Sequence, residues 1–215
     1  MSVTAAASRP RRKPPEKRRG EIAEAAGQIA QELGLAQVTA KRVAEEVGVY
    51  PGLVSHYFRS ADELVAAAFA AVNERRREVL AAKVAAESDG PTAELRMFLH
   101  EAIAADHDSV ALLWLDAWRE CRRRPVLQQE VIRQMEIDIA NLTDVVARGV
   151  ADGEFVTDDC AAAAMRILAM IDGTFGQSAV RTALAGTSLV NYPVVTEMLF
   201  RTTEQELRLD AGALS

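Results

Sequence analysis

The stretch VAEEVGVYPGLVSHYF, Val43 to Phe58, holds two short apolar-periodic runs separated by the turn Val47-Gly48-Val49-Tyr50-Pro51-Gly52. Gly48 lets the backbone turn with positive φ, where any β-carbon would clash. Pro51 suits the first turn of a new helix, because its missing N–H would have no partner there. Before the turn, Thr39 can cap a helix whose inner stripe is Ala40, Val43, Ala44 and Val47. Arg42 in place of Glu at the third position leaves the capping box incomplete. After the turn, Val54, Tyr57 and Phe58 point back to a core. Two short helices joined by a Gly-containing turn are the helix-turn-helix pattern.

Helices of about eight residues are marginal alone and need packing on both sides. Upstream, Ile22, Ala26, Ile29 and Leu33 recur at spacings of four, three and four, one face of a helix over Glu16–Leu33. Gly34 is expected to stop it as a left-handed cap. Downstream, a helix is expected from Asp62 to about Glu87, with Leu64, Val65, Ala68, Phe69, Val72, Val79 and Val84 as its apolar positions.

The whole chain fits this helical reading. Hydrophobic residues make up 49% of 215 and aromatics only 5%, so strand formers are scarce beside Ala and Leu. No apolar run reaches the ~20 residues that span a bilayer, and the basic, Pro-rich start lacks the apolar stretch of a secretory signal. Cys121 and Cys160 have no metal-ligand spacing and read as small buried hydrophobes in a reducing compartment, so a cytoplasmic location is expected. The formal charge of −6 hides an asymmetry: residues 1–60 hold 10 Lys and Arg against 6 Asp and Glu, the remainder 15 against 25. Seven of the basic residues lie in Arg9–Arg19. Such a Pro-rich basic tail is expected from its composition to be disordered in the free protein, and a positive end beside a reading unit is also the expected footprint of phosphate neutralisation.

The second half reads as a helical bundle. Asp89-Gly90-Pro91 breaks the chain and marks a hinge. Thr92–Ala105 is a helix, and another runs from Ser109 with Val110, Leu113, Trp114, Ala117, Trp118 and Cys121 on one face and Leu112 and Leu115 on the other. A helix apolar most of the way round is expected in the middle of a bundle. Pro125 starts a long helix to about Asp152, with Ile132, Met135, Ile139, Leu142 and Val146 as its seam. Gly153 stops it and Asp158 can cap the next helix, to about Leu184. There Gly173 and Gly176 cost about 1 kcal/mol each relative to Ala, which close helix approach would offset. A final helix covers roughly Tyr192 to Leu209, with Val195, Met198, Leu199 and Leu207 apolar.

With these residues placed, Arg18–Leu64 resembles the DNA-binding domain of the tetracycline-repressor (TetR) family. The matching features are the amphipathic helix, Gly34, Thr39, Val43-Ala44, Gly48-Val49, Gly52, Tyr57-Phe58 and Leu64. The form Pro51–Phe58 is closer to the BetI-like branch, and Leu113-Trp114, Trp118–Glu120, Asp152–Phe155 and Ile171–Gly173 resemble the BetI-type C-terminal domain. The similarity spans residues 16–210. It implies an all-α architecture: a basic tail (1–15), a helix-turn-helix domain (16–60), and a ligand-binding and dimerisation domain (61–215) that includes a linking helix (61–87).

What the resemblance implies for function is a homodimeric regulator of transcription, a repressor released from double-stranded, pseudo-palindromic DNA by a small-molecule effector, with no cofactor. The last two helices of each subunit would form the dimer interface, setting two reading heads about 34–36 Å apart. DNA contacts would come from Thr39, Lys41, Tyr50, Pro51, Gly52, Ser55, His56, Tyr57 and Arg59. Gly52 would let the helix start approach phosphate, Ser55 and His56 can bond base edges or phosphates, and the Tyr57 hydroxyl is a rigid phosphate donor. Tyr57 can equally be a core aromatic, and His56 a solvent-facing residue. The effector would meet Phe98, Trp114, Trp118, Met135, Ile139, Ile171 and Phe175. Trp114 and Trp118 either pack as core or wall a cation, with Asp172 or Asp116 as counter-charge.

Two departures matter. Tyr50 forfeits a side-chain N-cap, and Ala61 lacks a cation that commonly neutralises phosphate, leaving that task to Arg59 or the tail. They keep open a helical small-molecule-binding protein with a degenerate reader. An enzyme would need His100 and His107, seven apart beside Asp106 and Asp108, to bind a metal; a helix ending near Ala105 argues against it. No phosphate-cradling Gly-rich loop or Ser-His-Asp order is present.

Overall fold

The computed structural model describes residues 14–104, 108–178 and 192–215. Over these the chain forms α1 (Pro15–Leu33), a short 3-10 turn (Leu35–Gln37), α2 (Ala40–Val47), α3 (Pro51–Tyr57), α4 (Ala61–Glu87) and α5 (Pro91–Ile103). It continues with α6 (Asp108–Glu120), α7 (Pro125–Ala151), α8 (Cys160–Ser178) and α9 (Tyr192–Glu206). The architecture is all-α, as expected. No helix among the described residues is long and apolar enough to cross a membrane. The basic tail through Lys13, the Ala105–His107 segment and the expected continuation of α8 to Leu184 lie outside the described residues.

Local chemistry starts and stops these helices. Thr39 Oγ1 accepts from the Arg42 N–H at 3.2 Å, capping α2. Gly48 sits at φ 71°, ψ 40°, the left-handed region, and turns the chain toward Pro51 at the start of α3. Ser60 caps α4 by accepting from Glu63 N–H at 3.1 Å, while the Glu63 carboxylate accepts from Arg59 N–H at 2.8 Å. Gly34 corrects an expectation: at φ 89°, ψ 158° it is not a left-handed cap. The chain leaves α1 directly into the 3-10 turn, and the Asp116 carboxylate of α6 lies 3.0 Å from where a β-carbon would stand.

α1 packs along α4, and together with α2 and α3 they bury Ile22, Ala26, Ile29, Val43, Ala44, Val54, Phe58, Leu64 and Phe69. Ala40, Val47 and Tyr57 are partly buried against this core. Only the first half of α4 is buried, Leu64 to Asn73; Val79 and Val84 are half-exposed.

Four expectations for the bundle change. Ile132 is 50% and Met135 38% exposed, and the buried face of α7 runs through Leu127, Val131, Gln134, Leu142, Val145, Val146 and Gly149. The seam rotates because Arg76 and Arg77 of α4 draw polar groups inward: both pair with Asp138, at 2.8 and 3.1 Å, and Arg77 donates to Gln134 at 2.5 Å. Leu112 is exposed, so α6 is not buried all round. Asp159, not Asp158, caps α8, accepting from Ala162 N–H at 2.9 Å. Gly173 and Gly176 have open space where a β-carbon would be, so no close approach among the described residues explains them.

Close approach occurs instead at Gly149, where a β-carbon would lie 2.1 Å from the ring of fully buried Phe155. The Gly149 carbonyl accepts from Glu154 and Phe155 N–H at 2.8 and 3.0 Å, folding the chain over the end of α7. Glu154 then reaches α5, accepting from Thr92 N–H at 2.9 Å and Thr92 Oγ1 at 2.6 Å. A carboxylate at a helix start is favoured by the exposed N–H groups there.

Candidate nucleic-acid interface and ligand cavity

The turn at Gly48 presents α3 to solvent. Thr39, Lys41, Pro51, Gly52, Ser55, His56 and Arg59 are exposed, and Tyr50 is 87% exposed without capping α3. Gly52 has nothing within 4 Å of a notional β-carbon, so packing among the described residues does not require it. Tyr57 divides its ring between core and surface and meets His56 edge-on at 5.3 Å. Lys41 stands 4.0 Å from Glu45 on the exposed side of α2. Behind the end of α3, the Arg19 guanidinium lies 4.6 Å over the Phe58 ring, fixing α1 to it.

Between α4, α5, α6, α7 and α8 lies a cavity of about 160 Å³. Six of the seven residues expected to meet a ligand line it: Phe98, Trp114, Met135, Ile139, Ile171 and Phe175. Trp118 does not. It stacks on Phe175 at 5.8 Å and leans on Trp114 at 5.8 Å, supporting the wall from behind. Phe69 supports Trp114 in turn, edge-to-face at 4.8 Å.

The charged lining is what periodicity missed. Arg76, Glu101 and Asp138 face the cavity along with Asp172. Arg76 pairs with Asp138 and Glu101 with Lys83 at 2.8 Å, whereas no hydrogen bond or ion pair engages Asp172 among the described residues. Burial pushes the Asp172 carboxyl up to about 6, the repulsion of Asp138 adds to it, and Arg76 partly offsets both. The available signal was a set of charges on otherwise apolar faces. Asp116, the other possible counter-charge, is elsewhere, beside Gly34 and 3.5 Å from Arg119.

Trp114 joins the cavity to α4. Its indole N–H donates to Asn73 Oδ1 at 3.0 Å, and the fully buried Asn73 amide donates to the Phe69 carbonyl at 2.9 Å. A buried amide with both ends engaged rigidifies its surroundings.

His100 is exposed and its ring lies 4.8 Å from Phe200, while His107 lies outside the described residues. Among the described residues no group of three or more His, Cys, Asp and Glu is placed to hold a metal. Cys121 and Cys160 are free and half-buried rather than buried, and the Cys121 thiol bonds the Trp118 carbonyl at 3.2 Å.

Comparison with known proteins agrees with this geometry. Residues 21–68 match the family model for bacterial regulatory proteins of the tetR family, and residues 91–190 match the C-terminal domain of BetI-type transcriptional repressors. The chain is 30% identical over 162 residues to the HTH-type transcriptional regulator BetI 2 of Chromohalobacter salexigens, covering 73% of this chain and 74% of that one. It is 26% identical over 181 residues to BetI of Escherichia coli, covering 80% and 85%. A TetR-family regulator from Rhodococcus sp. superposes with a TM-score of 0.74 at 19% identity, covering 89% of this chain and 99% of that one. The chain therefore belongs to the BetI branch of the TetR family, transcriptional regulators that bind double-stranded DNA, dimerise and take a small-molecule effector.

Proposed function

We propose that this chain is a cytoplasmic repressor whose homodimer reads the two halves of a pseudo-palindromic operator through Thr39, Lys41, Tyr50–Gly52, Ser55–Tyr57 and Arg59. Residues 16–60 are the reader, residues 61–215 the ligand-binding and dimerisation domain, and α4 belongs to both in mechanical terms. The effector is a small molecule with an apolar body and a positive group. The body packs among Phe98, Trp114 and Phe175, and the positive group faces Asp172.

One observation carries this reading: Trp114 is at once a wall of the cavity and the hydrogen-bond partner of Asn73 on α4, the helix that begins beside the reader. A ligand that re-seats Trp114 therefore acts on α4. It releases DNA to the extent that it prefers the re-seated conformation, and DNA weakens its binding by the same factor. Aromatic faces attract cations, and a desolvated carboxylate without a partner gains most from one.

The test is tryptophan fluorescence titrated with tetramethylammonium, benzyltrimethylammonium and their neutral carbon isosteres. The cations are expected to bind more tightly, and Asp172→Asn to erase the difference. Equal binding of the neutral isosteres to the wild type contradicts a cationic effector.

A further inference from the structure

The C-terminal domain carries an excess of acidic residues, yet its turn between α6 and α7 reads Arg122-Arg123-Arg124. Backbone bonds fix that turn: Arg123 N–H donates to the Glu120 carbonyl at 3.0 Å and Arg124 N–H to that of Cys121 at 3.3 Å, before Pro125 opens α7. Arg124 ties it to the reader. Its guanidinium is 3.1 Å from Asp62 in the first turn of α4 and 3.5 Å from Glu120. The partner helix turn is the one that starts with exposed Ala61, two residues after Arg59.

Charge accounting around the turn leaves a surplus. Arg124 is matched by Asp62 and Glu120, and Arg119 by Asp116 and Glu120. Arg122 and Arg123 are exposed, and among the described residues neither side chain makes an ion pair or hydrogen bond. Two guanidinium groups with no protein partner among the described residues thus stand in a turn that Arg124 ties to the start of α4, where Ala61 offers no cation and Arg59 is the nearest one in the reader.

We infer that Arg122 and Arg123 form a second anchor on DNA, gripping backbone phosphates next to the start of α4, with Arg124 as the residue that positions them. The inference rests on the reading of α2 and α3 as the DNA-facing unit. Guanidinium matches phosphate by paired N–H donors, and such contacts set position and affinity without choosing sequence. The anchor belongs to the ligand-binding domain and lies in the turn that directly follows α6, the helix that carries Trp114, so an effector that moves α6 acts on two DNA contacts.

The test is fluorescence anisotropy of the full-length protein on a duplex from its own upstream intergenic region and on a scrambled duplex, across a series of salt concentrations. Each lost phosphate contact lowers the slope of log affinity against log salt by about 0.9. Arg122→Ala with Arg123→Ala is expected to lower it by ~2 per protomer on both duplexes, leaving the preference between them unchanged, and Arg122→Lys with Arg123→Lys to keep the wild-type slope. Arg124→Ala is expected to lower the slope by more than its single charge accounts for. An unchanged slope in the double alanine variant, with DNA still bound, overturns the anchor alone. A wild type that binds neither duplex overturns the anchor and the reading of α2 and α3 together.

Discussion

Trp114 and Asn73 share a buried hydrogen bond of 3.0 Å, indole N–H to amide oxygen, that joins the wall of the cavity to α4. Asn73 is fully buried, so its loss leaves the indole N–H without a partner. Asn73→Leu is expected to lower stability by roughly 1–3 kcal/mol in urea unfolding. Because the two residues act as a unit, adding Trp114→Phe costs less in that background than in the wild type, which a double-mutant cycle reads directly.

Asp172 is expected to make stability depend on pH, and with it the binding of a cationic ligand. Its folded-state value of about 6 lies above the ordinary 3.8, so between those values the folded chain holds a proton that the unfolded chain has lost. Stability contributed by this group is therefore full below about pH 4 and declines as pH rises to about 6. Asp172→Asn removes that decline, which unfolding curves across this window show as a flatter profile. A cationic ligand has the opposite dependence and binds more tightly as pH rises through about 6, because the charged carboxylate is the form that attracts it.

Gly149 has no room for a side chain, since a β-carbon would lie within 2.6 Å of three Phe155 ring atoms. Gly149→Ala is expected to cost roughly 1–3 kcal/mol through displaced packing, despite the better helix propensity of Ala. A melting temperature at or above that of the wild type would show that the Phe155 ring has another seat.

Much of this was legible in local chemistry. Thr39, Gly48 and Pro51 mark α2, the turn and α3 through their own backbone preferences, and Pro91 and Pro125 mark the starts of α5 and α7 in the same way. The α7 seam was legible at Leu142 and Val146 but not in its first half, where Gln134 faces inward on account of Arg77, 57 positions earlier in the chain. The cap on Thr92 by Glu154 likewise spans 62 positions. Six cavity residues were reached through the resemblance, whereas the charges beside them depend on which helices meet. Trp118 has the spacing of a wall residue and the place of a buttress, a distinction set by the rotation of α6 about its axis.

Whether α3 reads DNA decides the function of the whole chain. The most direct measurement is anisotropy of the purified protein on a duplex from its upstream intergenic region, competed with scrambled duplex at several salt concentrations. Specific, steeply salt-dependent binding that weakens with Tyr57→Phe and His56→Ala is expected. Binding with no preference over scrambled duplex, even at low salt and with further genomic fragments, would contradict it and leave a ligand-binding bundle whose Tyr50 and Ala61 mark a reader that no longer reads.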